Sequence, residues 1–322
     1  MLPKDIKEML EKNQYRFAGE HLHSAVQICR YTKRALRGEE VCWKENFYGI
    51  KSHRCCQFSP SVMWCHNRCI HCWRPIELNL GTKIGKIDEP KEILEGIINE
   101  RKKLLMGFKG KENINIKKFK ESLNPDFFTL SLSGEATLYP KLAELIKEIR
   151  KRKAISFIVT NGLEPEKIKE LQEKNCLPTQ LILSMNSPNK KIYNSWHKSL
   201  KKDAWEKFNE TLELIKKLKC RTTLQLTLVK DINMKKEYAQ QYTKLIKKAE
   251  PMFIHVKAYS SLGYSQQRIN YKLMPTHEEI RNFAKELLKY LQKYKFLDEK
   301  KESRVVLLGK SKKGVKIKKR EI

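Results

Sequence analysis

The sequence predicts an α/β fold, a partial (β/α)6 TIM-like barrel behind a helical N-terminal extension, on three observations. Beyond about residue 60, apolar runs of strand length alternate with helical periods, which makes the sheet parallel. The strands are continuous apolar runs, as expected where both faces of a sheet are covered. Polar residues collect where the strands end, the side on which barrels of this kind place their chemistry.

Taken in order, SPSVMW reads as a short strand, with a cysteine-bearing loop leaving its end. A helix near residues 90–108 precedes the apolar strand FFTLSLSGE, which begins at Phe127. Helical period and breakers then give a helix from Pro140 to Arg152, the strand ISFIVTNG and a helix from Pro165 to Lys174. The strand QLILSMN, the amphipathic helix Asp203 to Lys219 and the strand TTLQLTLVK follow. A helix near Lys235 to Ala249, the strand FIHVKAYS and a helix from Thr276 to Tyr294 complete about six units. The organisation expected is an extension over 1–57, a barrel over 58–300 and a basic C-terminal segment over 301–322.

At 322 residues and 40% hydrophobic content, the chain can bury one large core. No apolar run approaches the roughly 18 residues of a membrane-spanning helix, and MLPKDIKEMLEKNQ lacks a signal-peptide core. A cytoplasmic protein is expected, in which nine cysteines read as metal ligands or free thiols before disulfides. Lys and Arg number 67 against 37 Asp and Glu, a net charge of +30, which calls for a polyanionic partner. The basic residues are densest at Lys109 to Lys120, at Lys190 to Lys202 and in the tail GKSKKGVKIKKR. An amphipathic basic helix with an aromatic face, the mark of membrane-surface binding, is lacking.

Cys65, Cys69 and Cys72 stand as C-x3-C-x2-C in MWCHNRCIHCWRP. That spacing wraps a loop around a four-iron cube so that three thiolates reach three corners and one iron stays open. Tetrahedral zinc, with His66 or His71 as fourth ligand, is the competing reading, although no second cysteine pair follows at ribbon or finger spacing. In the extension, Cys29, Cys42 and Cys55 are separated by twelve residues each and suggest a second cluster with a free iron; zinc-bound or simply reduced thiols are the alternatives. Cys56 reads as a neighbour, and Cys176 and Cys220 as core or boundary residues. The strand ends contribute Ser133, Gly134 and Glu135; Thr160 and Asn161; Ser184 and Asn186; and Thr227 and Lys230. Any one of these groups alone would be an ordinary turn or helix cap.

The cysteine loop followed by Ser133-Gly134-Glu135 resembles the radical S-adenosylmethionine superfamily, whose Gly-Gly-Glu segment holds the methionine ammonium. Here serine replaces the first glycine. The resemblance implies S-adenosylmethionine as cofactor, Glu135 as acceptor from the ammonium, and Thr160, Asn161, Ser184 and Asn186 as candidates for the rest of the cofactor. Over nearly its whole length the chain further resembles the 4-demethylwyosine synthase family. The likeness rests on the two cysteine sets, on Lys44 two residues after Cys42, and on SLSGEATLYP, TNG, LTLVKDIN and HVKAYSSLGYS.

That family implies a radical carbon–carbon lyase that uses pyruvate to build a third ring on N1-methylguanosine beside the anticodon of phenylalanine tRNA. It implies two 4Fe-4S clusters, the second able to position pyruvate. Lys44 would form an imine with pyruvate or pair with its carboxylate. It also implies an archaeal source and an external one-electron donor, because eukaryotic relatives carry a flavodoxin-like domain ahead of this region. Tyr193 and Trp196 would either stack on a splayed base or pack the following helix. The rivals are another radical S-adenosylmethionine enzyme, such as an activase or a tRNA methylthiotransferase, and a zinc-stabilised RNA-binding protein without catalysis.

Overall fold

The computed structural model describes residues 2–318. Ten strands form one sheet in the order β1-β2-β3-β4-β5-β6-β7-β8-β10-β9. Six of them, β3 (Cys55–Ser59), β4 (Phe127–Leu130), β5 (Ile155–Thr160), β6 (Gln180–Ser184), β7 (Arg221–Leu228) and β8 (Phe253–Ala258), are mutually parallel. These are the six units expected. Antiparallel strands extend both edges: β1 (Arg16–Ala18) and β2 (Ser24–Val26) beside β3, and β10 (Val305–Gly309) and β9 (Lys295–Lys300) beside β8.

In the extension lie α1 (Lys4–Lys12), α2 (Arg30–Leu36) and α3 (Trp43–Tyr48); α4 (Pro90–Met106) and α5 (Ile116–Ser122) follow β3. The other crossovers are α6 (Leu142–Lys151), α7 (Pro165–Glu173), the pair α8 (Lys190–His197) and α9 (Ala204–Ile215), α10 (Tyr238–Ala249), and α11 (His277–Leu288) after β8. Their apolar stripes bury the outer face of the sheet. On α4, Ile93, Leu94, Ile97, Ile98 and Leu105 face inward, and a capping box between Glu89 and Glu92 fixes its start.

Two expectations need correcting. SPSVMW is not a strand; the ladder lies just upstream in Cys55–Ser59. Pro60 has no N–H to give a neighbouring strand, and the chain turns instead, Val62 donating to the His23 carbonyl (2.8 Å) and Trp64 to Ser61 (3.0 Å). The boundary after residue 57 therefore falls inside β3. The basic C-terminal segment expected over 301–322 also contributes β10 to the sheet interior, which its charge did not foretell; its last four residues lie outside the described chain.

Alternation along the strands sends Phe127, Phe157, Ile182, Phe253, Val305 and Leu307 into the barrel, where they pack against Trp43, Phe47 and Tyr48 of α3. The extension thus plugs the end of the barrel at which the parallel strands begin. Beneath it the chain after β10 crosses the opening. Arg221 donates to the carbonyls of Gly314 and Val315, both at 2.6 Å, Ile317 N–H donates to Tyr48 O (3.0 Å), and Lys316 reaches the Asn46 carbonyl.

Candidate active site

The loop carrying Cys65, Cys69 and Cys72 leaves the far end of β3 and is clamped from several sides. Cys65 N–H donates to Gly81 O (3.0 Å), Arg68 N–H to His197 O (2.9 Å) and Ile70 N–H to Trp196 O (3.0 Å). The Arg268 guanidinium caps the loop carbonyls of Ile70 (3.1 Å), Cys72 and Arg74 (3.2 Å). Around the thiols, Cys69 Sγ lies 3.1 Å from His197 Nδ1, while Cys65 Sγ accepts from Asn67 N–H (3.5 Å) and Asn161 Nδ2 (3.7 Å). Burial pushes the Cys65 thiol up to about 12 and those of Cys69 and Cys72 upward as well, and the Cys69 thiol also feels the other two. Among the described residues, no three His, Cys, Asp or Glu side chains converge tightly enough for a single metal ion. Three thiols on one short loop are the donor set that a cube of iron and sulfide would use, leaving its fourth iron open.

Trp196 and Tyr193 do not wait for a base. Both are buried, Trp196 stacking on His71 at 5.6 Å and Tyr193 on His197 at 4.4 Å, so α8 forms the floor under the loop. His66, equally buried, donates from Nε2 to Glu164 (2.7 Å), which also receives Lys201 Nζ (2.7 Å). Burial pushes the Glu164 carboxyl up, but the His66 and Lys201 hydrogen bonds outweigh it and hold it at about 2.

The strand ends meet beside this loop. Glu135 Oε1 accepts from Thr137 N–H (3.2 Å), Thr137 Oγ1 (2.8 Å) and Thr160 Oγ1 (2.7 Å), and Oε2 accepts from Asn161 N–H (2.7 Å). Oε2 keeps a lone pair for another donor. Asn186 accepts from Thr227 N–H (2.8 Å) and lies 3.2 Å from His71 Nε2, fastening two strand ends to the loop; Ser184 is half-buried on the same strand end. Lys230 departs from the expectation, since it pairs with Glu279 at 2.8 Å. Asn233, whose Nδ2 donates to Asn186 O (2.8 Å) and Thr227 O (2.9 Å), completes this corner and had no signal beyond the motif LTLVKDIN.

The second cysteine set lies at the other end of β3, a strand roughly 13 Å long at the usual rise. Cys29 precedes α2, Cys42 precedes α3 and Cys55 opens β3. Ser52 ties these segments together: Oγ accepts from Cys42 N–H (2.9 Å) and donates to Glu45 (2.6 Å), and its carbonyl accepts from Thr32 Oγ1 (2.9 Å). The three cysteines, Lys44, Tyr31, Gln57 and Thr129 line a cavity with about 340 Å³ of empty space, open solvent at its mouth included. Burial drives the Cys42 thiol up to about 11 against the pull of Lys44, and Cys55 rises for the same reason. Three thiols lining one cavity are the donor set that a second cube would use. Lys44 Nζ donates to Thr129 Oγ1 (3.3 Å) and lies 5.4–5.6 Å from the ring centres of Trp43, Phe127 and Phe157, with no carboxylate partner among the described residues. Cys56 points the opposite way into the main core, which also holds Cys176 and has Cys220 at its margin.

Comparison with known proteins decides what this arrangement belongs to. Residues 60–241 match the radical S-adenosylmethionine superfamily, and residues 248–310 match the family described as wyosine base formation. A Pyrococcus horikoshii protein named S-adenosyl-L-methionine-dependent tRNA 4-demethylwyosine synthase is 44% identical over 95% of this chain and 89% of its own. One of the same name from Methanocaldococcus jannaschii is 37% identical over 96% of each. The chain belongs to the tRNA 4-demethylwyosine synthase family. It shares that fold with a solved structure of TYW1 bearing a bound lysine–pyruvate adduct, with a TM-score of 0.87 and 34% identity across 98% of this chain and 100% of the other. An archaeal TYW1 crystal structure gives 0.79 and 33% across the same shares.

One position tests the seat of this synthase's strand-end cluster. Gly134 has φ +67°, and a Cβ there would stand 1.8 Å from Ser61 O and 2.7 Å from Trp64 O, both backbone atoms that cannot step aside. Gly134→Ala is therefore expected to destabilise the protein by at least about 2 kcal/mol, read as a lowered Tm. Glu135 N–H donates to that same Trp64 carbonyl (2.8 Å), so the substitution also pushes the carboxylate away from the cysteine loop.

Proposed function

We propose that this radical synthase condenses two carbons of pyruvate with N1-methylguanosine beside the anticodon of phenylalanine tRNA, forming 4-demethylwyosine in the cytoplasm with electrons from an external donor. The observation that carries the reading is Lys44, a lysine without a carboxylate, in a cavity ringed by Cys29, Cys42 and Cys55 and joined by β3 to the loop of Cys65, Cys69 and Cys72. When bound, a cluster on that loop supplies the electron that cleaves S-adenosylmethionine, and a second on the other set adds a Lewis acid that positions the 2-oxo acid. The chain's own part is geometric. Glu135 Oε2 takes the methionine ammonium, and Asn161, with its side chain beside Cys65, lies within reach of the same cofactor along with Thr160, Ser184 and Asn186. Lys44 engages the carbonyl of pyruvate as an imine, releasing water, and the aromatic rings around it keep bulk water from that bond.

The reading is tested with protein reconstituted under anaerobic conditions, N1-methylguanosine tRNA and carbon-labelled pyruvate. Label in a tricyclic nucleoside supports it. Sulfur or methylthio insertion without label would support a methylthiotransferase instead, and a colourless, zinc-loaded protein that binds RNA without reaction would support the non-catalytic reading.

A further inference from the structure

Lys257 on β8 is a second lysine turned into the barrel, and nothing in the reading above uses it. Its neighbour on the same face, His255, fixes the direction: the His255 ring packs 4.6 Å from that of Trp43, and Nε2 lies 2.5 Å from the Tyr48 hydroxyl. Two residues along, Lys257 points the same way, one step nearer the end where the cofactor loop stands. It pairs across the sheet with Thr227 and Val305, and Val305 packs in the α3 interior cluster. The residue is half-buried, and its amine makes no hydrogen bond or ion pair with any described residue. The groups that act on it are Cys42 and Lys44 at the start of α3, Cys29 ahead of α2, and one more cation, Arg304. Burial disfavours its charge, the Cys42 and Cys29 thiols favour it, and Lys44 and Arg304 work against it. Lys44, against Phe127 and Phe157, and Lys257, opposite Val305, thus border the same interior cluster with no carboxylate partner among the described residues, and an anion between them would be complementary to both.

We propose that Lys257 binds the carboxylate of the 2-oxo acid whose carbonyl is engaged by Lys44. The division of labour follows from chemistry. An amine that becomes an imine nitrogen gives up its ability to act as a full ammonium partner, so the carboxylate needs a separate cation. Lys257 supplies it from the facing side of the barrel, and the negative charge brought in by the substrate relieves the repulsion between the two lysines. A small, uncharged 2-oxo compound would lack this anchor. The inference rests on Lys44 being the imine-forming residue.

The test uses the reconstituted enzyme and reads the pyruvate adduct trapped on Lys44 by borohydride, quantified by mass across a pyruvate series, with iron content measured in parallel. In Lys257→Gln the half-saturating pyruvate concentration is expected to rise roughly tenfold or more, while the trapped position and the iron content stay as in wild type. Lys257→Arg is expected to restore most of the loss. Pyruvamide, which keeps the carbonyl but carries no negative charge, gives a second readout independent of overall stability: wild type should prefer pyruvate strongly, and Lys257→Gln should lose the preference. Equal half-saturation in variant and wild type, an unchanged preference, or loss of iron without a change in the preference would overturn the inference, the last by making Lys257 only a counter-charge for the thiols. Absence of any adduct in wild type would instead remove the imine role of Lys44, and this inference with it.

Discussion

Cys69→Ala is expected to abolish formation of 5'-deoxyadenosine and to lower bound iron by about four per chain. Three thiolates hold three corners of the cube, and two cannot keep it seated against solvent. The protein offers one nearby donor, His197 Nδ1 at 3.1 Å from the sulfur. Burial pushes that imidazole down to about 3, so it is neutral and has a lone pair to give. It sits on α8, however, held by stacking on Tyr193, and cannot advance to where the missing sulfur stood. Fold disruption is a poor rival explanation, because the loop is clamped through backbone groups and Arg268 rather than through the Cys69 side chain. The variant should keep its thermal transition and the accessory iron. Retained cleavage of S-adenosylmethionine would remove this loop from the centre of the chemistry.

Lys44→Ala is expected to lower product formation by roughly three orders of magnitude or more while leaving S-adenosylmethionine cleavage in place. The two functions separate because they occupy opposite ends of β3. Lys44 makes a single long hydrogen bond to Thr129 and otherwise rests among rings, so its removal costs the fold little. Lys44→Arg divides the chemical possibilities. Guanidinium retains the positive charge but cannot form an imine at accessible pH. An arginine variant that turns over would mean that Lys44 acts as an ion-pair partner, whereas an inactive one that still binds pyruvate requires the covalent role. Labelled product at the wild-type rate from the alanine variant would exclude any direct part for this residue.

Five of the six parallel strands, most of their helices and both cysteine sets were legible because each rests on a local signal: apolar period, turn residues, or fixed spacing. Gly134 was legible for the same reason. What escaped is non-local. Nothing in SHRCCQFSPSVMW says that the ladder stops at Ser59, since that depends on where His23 and Ser61 offer carbonyls. The edge strands β1, β2, β9 and β10 are short or follow charged stretches, and only their partners make them strands. Trp196 looked available for stacking because the sequence does not show His71 arriving beneath it. Lys257 was visible as part of HVKAYS, but its meaning comes from facing Cys42 and Lys44, which are more than 200 positions earlier in the chain.

The residues that fasten α3 from below, Gly314 to Ile317, are synthesised after every cysteine they help to position. Until those residues are made, the carbonyls of Asn46 and Tyr48 lack the partners they have in the finished chain, so the end of α3 is fastened only when the last strand of the sheet is already complete.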